Sequence, residues 1–230
     1  MKPLDHFYDN PVNRGRGTPR IFDHLFAGLI RVTFTPAFRC RVRGAEEIRR
    51  LDEGFILAGN HRSYLDPLFV MQAMRPRAIR FMGKEEFFRV KVLRRLASWV
   101  GVYPVKRETA DIKVVKRSVT MLKRGEIVGI FPEGTRGRGT EVVDGERKTY
   151  EGVAHIANLA KARVVPFRLF NTEKISPEDS RRWHFPTIKL AFGEPMSLDD
   201  PAYEGLDKSE KIQRFTQEVM GVIYSLPEPE

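Results

Sequence analysis

The stretch Phe55-Ile56-Leu57-Ala58-Gly59-Asn60-His61-Arg62-Ser63-Tyr64-Leu65-Asp66-Pro67 decides how the chain folds. Its first five residues form a short apolar run, the pattern of a buried strand. Leu68-Phe69-Val70-Met71 then opens a helix behind Pro67. A strand that turns into a helix at its carboxyl end is where open α/β sheets place their sites. Here the turn carries an imidazole, His61, and a carboxylate, Asp66, with four residues between them. Neutral histidine accepts a proton near pH 7, and a carboxylate behind it fixes its tautomer and stabilises the imidazolium. A plainer reading competes. Asp66 before Pro67 is also a good helix start, an N-cap oxygen followed by proline at the first helical position. Asn60 and Ser63 are ordinary turn residues. The spacing alone leaves both readings open.

Working toward the carboxyl end, the same alternation repeats. Ala78 to Met82 reads as a strand ending at Gly83-Lys84, and residues 85–100 as a helix with one apolar face. Val102-Tyr103-Pro104-Val105 is a strand that delivers Lys106 and Arg107 to its end. Residues 110–123 form a helix closed by Gly125. Ile127 to Phe131 is a buried strand stopped by Pro132, and Glu133-Gly134-Thr135-Arg136 follows. Residues 137–149 are a polar, glycine-rich loop, residues 152–162 a helix, 164–169 and 187–192 strands, and 209–226 an amphipathic closing helix. Strands alternating with helices predict α/β: a single domain with a mostly parallel central sheet flanked by helices. Parallel strands would bring His61, Asp66, Arg107, Glu133 and Arg136 to one edge. Guanidinium forks beside a histidine base describe an anion site next to a proton acceptor.

Toward the amino end, residues 1–18 read as a flexible tail. Residues 19–38 carry a broad apolar stripe through Ile21, Phe22, Leu25, Phe26, Leu29, Ile30 and Phe34, flanked by arginines. Such a helix suits an anionic membrane surface or packs on the domain formed by residues 39–230. The formal charge of +10 favours a polyanionic partner. That charge is uneven: residues 75–124 hold fifteen Lys/Arg against four Asp/Glu, and residues 195–230 three against eight. The single cysteine, Cys40, excludes an intrachain disulfide and reads as a small buried hydrophobe. No signal peptide and no run of about 20 apolar residues is expected to cross a membrane. His6, His24, His155 and His184 are scattered, and no Cys/His cluster has metal-site spacing.

With these residues in view, the chain resembles the glycerolipid acyltransferases, the family of 1-acyl-sn-glycerol-3-phosphate acyltransferase. Asn60-His61-x-Ser63-x-x-Asp66 is similar to the first signature block of that family, and Gly101-x-x-Pro104-Val105-x-Arg107 to the second. Phe131-Pro132-Glu133-Gly134-Thr135-Arg136 is similar to the third, without a mismatch, and Val164-Val165-Pro166-Phe167 to the fourth. The blocks come in the family's order and cover roughly residues 50 to 195. Pro104 stands where many members carry a large apolar residue, and Lys84 matches a lysine common among them.

The resemblance implies a reaction. An acyl chain moves from an acyl thioester, acyl-CoA or acyl-carrier protein, to the free hydroxyl of a lysophospholipid, giving phosphatidic acid when that lipid is 1-acyl-sn-glycerol-3-phosphate. His61 would be the general base and Asp66 its partner. Arg107 and Arg136 would hold the glycerol phosphate, with Glu133, Gly134, Thr135 and Lys84 in the acceptor-binding pocket. Ser63 is not expected to be acylated, because no G-x-S-x-G elbow occurs and it lies two residues from His61. Neither a metal nor another cofactor is implied. The protein would sit peripherally on the cytoplasmic face of a membrane. Two other classes fit the basic composition: a lipid hydrolase using water as acceptor, and a non-enzymatic polyanion-binding domain. No nucleic-acid-binding motif supports the latter with DNA or RNA as partner.

Overall fold

The computed structural model describes residues 28, 37–84, 88, 102–105, 112–133, 142–143, 146–147, 151–176 and 182–230. The expected tail over 1–18, nearly all of the helix over 19–38 and the helix over 85–100 lie outside these residues. In chain order the elements are β1 (Cys40–Arg43), α1 (Ala45–Arg49), β2 (Ile56–Gly59), α2 (Asp66–Ala73), β3 (Ile79–Lys84), β4 (Tyr103–Val105) and α3 (Ile112–Lys123). Then come β5 (Ile127–Ile130), β6 (Val142–Val143), β7 (Glu146–Arg147), α4 (Gly152–Ala160), β8 (Val164–Phe170), β9 (Ile188–Phe192) and α5 (Lys208–Ser225).

Seven strands form one sheet in the order β1-β9-β8-β2-β5-β3-β4. Every pairing in it is parallel except β8 with β9. The expected mostly parallel α/β sheet is therefore the observed one, with β1 and β9 running against the rest. Strand β6 pairs antiparallel with β7, so part of the expected loop over 137–149 is a short ribbon.

Period-two alternation sorts the strand residues between two cores. Ile56, Ala58, Val128, Ile130 and Val164 face α3, α4 and α5. Phe55, Leu57, Ile127, Val165, Phe167 and Leu169 face α1 and α2. Helix α5 buries Ile212, Phe215, Val219 and Ile223 along one stripe. Each such side chain contributes about 1.5–3 kcal/mol of burial. Asp207 starts that helix by accepting from the backbone N–H groups of Ser209 at 2.7 Å and Glu210 at 3.0 Å. Gly125 ends α3 at φ +78°, a conformation that suits glycine. Cys40 packs against the α2-side core, and burial pushes its thiol up to about 11, so it stays protonated.

The two cores matter for the site. The chain leaves β2 through α2 on one face and leaves β5 toward α4 on the other. Strands β2 and β5 are neighbours in register, Ala58 opposite Ile130. Connections that depart to opposite faces leave a crevice at the carboxyl ends of such a pair.

Candidate active site

His61 and Asp66 meet where the chain leaves β2 for α2. His61 Nδ1 lies 2.8 Å from Asp66 Oδ2, with the imidazole 11% exposed and the carboxylate fully buried. The same Oδ2 accepts the backbone N–H groups of Arg62 at 2.6 Å and Ser63 at 2.8 Å. Backbone amides only donate, so Oδ2 is an acceptor throughout and Nδ1 carries a proton toward it. In the neutral imidazole Nε2 then keeps its lone pair, the tautomer a general base requires.

The helix-cap reading of Asp66 is corrected here. The N-cap of α2 is Leu65, which makes no side-chain capping bond, and Asp66 is the first residue of the helix. Its carboxylate turns back into the preceding turn instead of onto the helix amides ahead. Ser63 contributes its amide to that turn, and its Oγ accepts the N–H of Leu65 at 3.3 Å. It is a residue of the turn.

Asn60 holds the turn to the neighbouring strand. Its Nδ2 donates to Leu169 O at 2.9 Å, and its Oδ1 accepts from Leu169 N at 2.7 Å. Both bonds are buried, so β2 and β8 are clamped at the edge where the site opens. The ring of Phe131, just past β5, stacks on His61 with centroids 4.2 Å apart and planes 16° apart. Phe131 rests in turn on Phe81 at 5.5 Å and meets Phe167 edge-on at 6.0 Å. Two glycines make room for this aromatic floor. A Cβ on Gly59 would lie 2.3 Å from the Phe167 ring, and one on Gly129 would lie 2.3 Å from the Phe81 ring. The floor shields one face of the imidazole from water and fixes its plane.

Glu133 lies three residues past Ile130, as His61 lies three past its register partner Ala58. It is 5% exposed. The Tyr224 hydroxyl of α5 donates to its Oε1. Its Oε2 is buried without a hydrogen-bond partner among the described residues, and so is Oδ1 of Asp66. Lys84 ends β3 at the same edge, its backbone opposite Val105. Arg107, Gly134, Thr135 and Arg136 lie outside the described residues. The structure thus brings His61, Asp66 and Glu133 to adjacent strand ends and carries the backbone of Lys84 to that edge.

Two contributors were not assigned a role from sequence. Phe131 opens the Phe-Pro-Glu-Gly-Thr-Arg block, but nothing in a one-dimensional pattern says that its ring lies on His61. Tyr224 is one residue of an amphipathic helix far from any motif. Among the described residues no group of three or more His, Cys, Asp or Glu could hold a metal ion.

A buried carboxylate on Nδ1 and an aromatic ring against one face leave an imidazole whose chemistry allows it to accept a proton. Comparisons with known proteins identify the family. The acyltransferase family profile matches residues 39–169. The 1-acyl-sn-glycerol-3-phosphate acyltransferase of Bacillus subtilis is 31% identical over 166 residues, which cover 72% of this chain and 77% of that protein. The Streptococcus pneumoniae protein of the same name is 24% identical over 194 residues, covering 84% of this chain and 69% of its own length. The chloroplastic LPAT1 of Arabidopsis thaliana is 29% identical over 165 residues, with 44% of that longer protein covered. The fold is shared with the crystal structure of the 1-acyl-sn-glycerophosphate (LPA) acyltransferase PlsC from Thermotoga maritima. The TM-score is 0.61 at 18% identity, over 98% of this chain and 84% of that one.

Proposed function

This chain belongs to the acyltransferase family, and from that premise we propose that it carries a fatty acyl group from a thioester donor to the free hydroxyl of 1-acyl-sn-glycerol-3-phosphate. It is an O-acyltransferase. The reaction runs by direct transfer. Nε2 of His61 takes the proton of the acceptor hydroxyl as its oxygen attacks the thioester carbonyl. The new C–O bond forms, the C–S bond breaks, and the leaving thiolate takes the proton back from the imidazolium. Asp66, fixed by two backbone amides, steadies the positive charge that His61 carries between these events. No acyl-enzyme forms, because the Ser63 hydroxyl is part of the turn and not a partner of His61.

The acceptor phosphate is assigned to Arg107 and Arg136, whose forks donate two parallel hydrogen bonds. Glu133, Gly134 and Thr135 line the acceptor pocket, and Lys84 is assigned to it as well. The donor is acyl-CoA or acyl-carrier protein. Residues 19–38 lay their apolar stripe on an anionic membrane surface, which brings the pocket to a lipid acceptor. Among the described residues no helix is long and apolar enough to cross a membrane.

The observation that carries this reading is the 2.8 Å contact between His61 Nδ1 and a fully buried Asp66. Its test is chromatography of a labelled acyl thioester incubated with the enzyme, with and without lysophosphatidic acid. Labelled phosphatidic acid only when the acceptor is present supports transfer. Free fatty acid in both samples would make the protein a hydrolase, and an unchanged thioester would contradict both.

A further inference from the structure

The closing helix reaches the site through the Tyr224 side chain, and part-buried contacts carry it there. Arg168 on β8 donates through Nη1 to the carbonyl of Tyr224 and, at 3.3 Å, to that of Leu226. Its guanidinium also lies over the rings of Phe170 at 4.7 Å and Tyr224 at 5.6 Å. The last turn of α5 is thereby tied to β8, with the Tyr224 ring held beneath a cation. The Tyr224 hydroxyl then donates to Oε1 of Glu133. The next residue on β8, Leu169, is the one that Asn60 clamps with two bonds. A continuous chain of contacts therefore runs from Asn60, beside His61, through β8 and α5 to Glu133.

A carboxylate has two equivalent oxygens, and its use in a pocket depends on which one is spoken for. Tyr224 takes Oε1. Oε2 stays buried and unpaired among the described residues. Leaving a buried acceptor unpaired is unfavourable, so such an atom marks a place where a donor arrives. We infer that Tyr224 is a positioning residue for the acyl acceptor: it fixes the rotation of Glu133 so that Oε2 receives an N–H or O–H delivered with the phosphorylated acceptor. The inference rests on Glu133 belonging to the acceptor pocket. Tyr224 does not touch the reacting atoms; it acts through Glu133.

Tyr224→Phe tests this, because it removes the hydroxyl and keeps the ring under Arg168. Steady-state kinetics of the full chain, varying lysophosphatidic acid at saturating thioester and the reverse, give the readout together with a thermal melt. The acceptor KM should rise about tenfold, equivalent to about 1.4 kcal/mol, while kcat and donor KM stay near wild type and the melting temperature falls only slightly. Glu133→Gln should also raise the acceptor KM, and adding Tyr224→Phe to it should change nothing further. An unchanged acceptor KM in Tyr224→Phe beside an impaired Glu133→Gln would overturn the positioning role and leave Glu133 in the pocket. A native acceptor KM in Glu133→Gln would remove Glu133 from the pocket and the inference with it. Equal loss of kcat and both KM values with a lowered melting temperature would make Tyr224 a structural contact only.

Discussion

The turns after β2 and β5 both bury a carboxylate at neighbouring strand ends, and both leave one of its oxygens without a partner among the described residues. They differ in where the other oxygen finds its donors. Asp66 is held by His61, Arg62 and Ser63, all within five residues. Glu133 is held by Tyr224, ninety-one residues away on the last helix. A locally held carboxylate is set as soon as its turn closes. A remotely held one is set only when the whole domain has packed. The first arrangement suits a proton-transfer pair whose geometry must not vary. The second ties Glu133 to the packing of α5 on β8.

The comparison can be broken most easily at the local turn. His61→Ala should lower single-turnover acyl transfer by about 10²–10⁴-fold, the usual weight of a general base. Melting should fall modestly, because the imidazole stacks on Phe131 and pairs with buried Asp66, while the fold stays intact. Transfer within a few fold of wild type would leave the β2 turn a scaffold and move the chemistry elsewhere.

The floor shared by both turns comes next. Gly129→Ala puts a methyl group into the Phe81 ring, which must shift beneath Phe131 and His61. Overpacking of this kind costs about 1–3 kcal/mol, readable as a lower urea midpoint at constant m-value. Full stability in this variant would mean that the floor is slack. Phe131→Leu is a gentler probe. It removes a stacked ring contact of about 0.5–1.5 kcal/mol, so kcat should fall by up to about tenfold with the acceptor KM little changed. A change confined to the acceptor KM would place Phe131 with the Glu133 pocket and not with His61.

The smallest effect belongs to the far side of α5. Glu218 accepts from the Tyr203 hydroxyl and, at 2.9 Å, from Arg214 Nε. The Tyr203 hydrogen bond, followed by Arg214, holds its carboxyl below the ordinary value. A depressed carboxylate contributes stability above the unfolded value of about 4.3 and loses it as pH falls through the lower folded value. The side chain is partly exposed, so Glu218→Gln should cost under about 1 kcal/mol at pH 7. The gap between the two urea midpoints should close toward pH 3. A gap that persists there would show that the side chain acts through packing.

The same contrast explains what could be read from the residues in order. The α/β alternation, the strand ends and the His61–Asp66 pair follow from apolar runs, Pro and Gly punctuation and short spacing, all of them local. Local pattern left one detail open: Asp-Pro also looks like an N-cap, yet the helix starts one residue earlier and the carboxylate folds back to two amides. The antiparallel entry of β9 was not legible, because strand direction depends on how the chain returns and not on strand composition. Phe131 on His61 and Tyr224 on Glu133 were invisible for the same reason. Each contact joins elements whose proximity exists only after the sheet order β8-β2-β5-β3 is set. Residues 19–38, where an amphipathic stripe allows two fates, lie outside the described residues.

The central claim is that His61 and Asp66 act as one unit, and a double-mutant cycle in single-turnover transfer tests it most directly. His61→Ala, Asp66→Asn and the double variant are compared with wild type, each checked by a melting curve. Asparagine keeps the shape but removes the charge that steadies the imidazolium, and it can hold the ring in the wrong tautomer. The account predicts a loss of orders of magnitude for folded Asp66→Asn and a double variant little worse than His61→Ala, since residues that act together are strongly non-additive. Near-wild-type transfer by folded Asp66→Asn, or losses that multiply in the double variant, would contradict it.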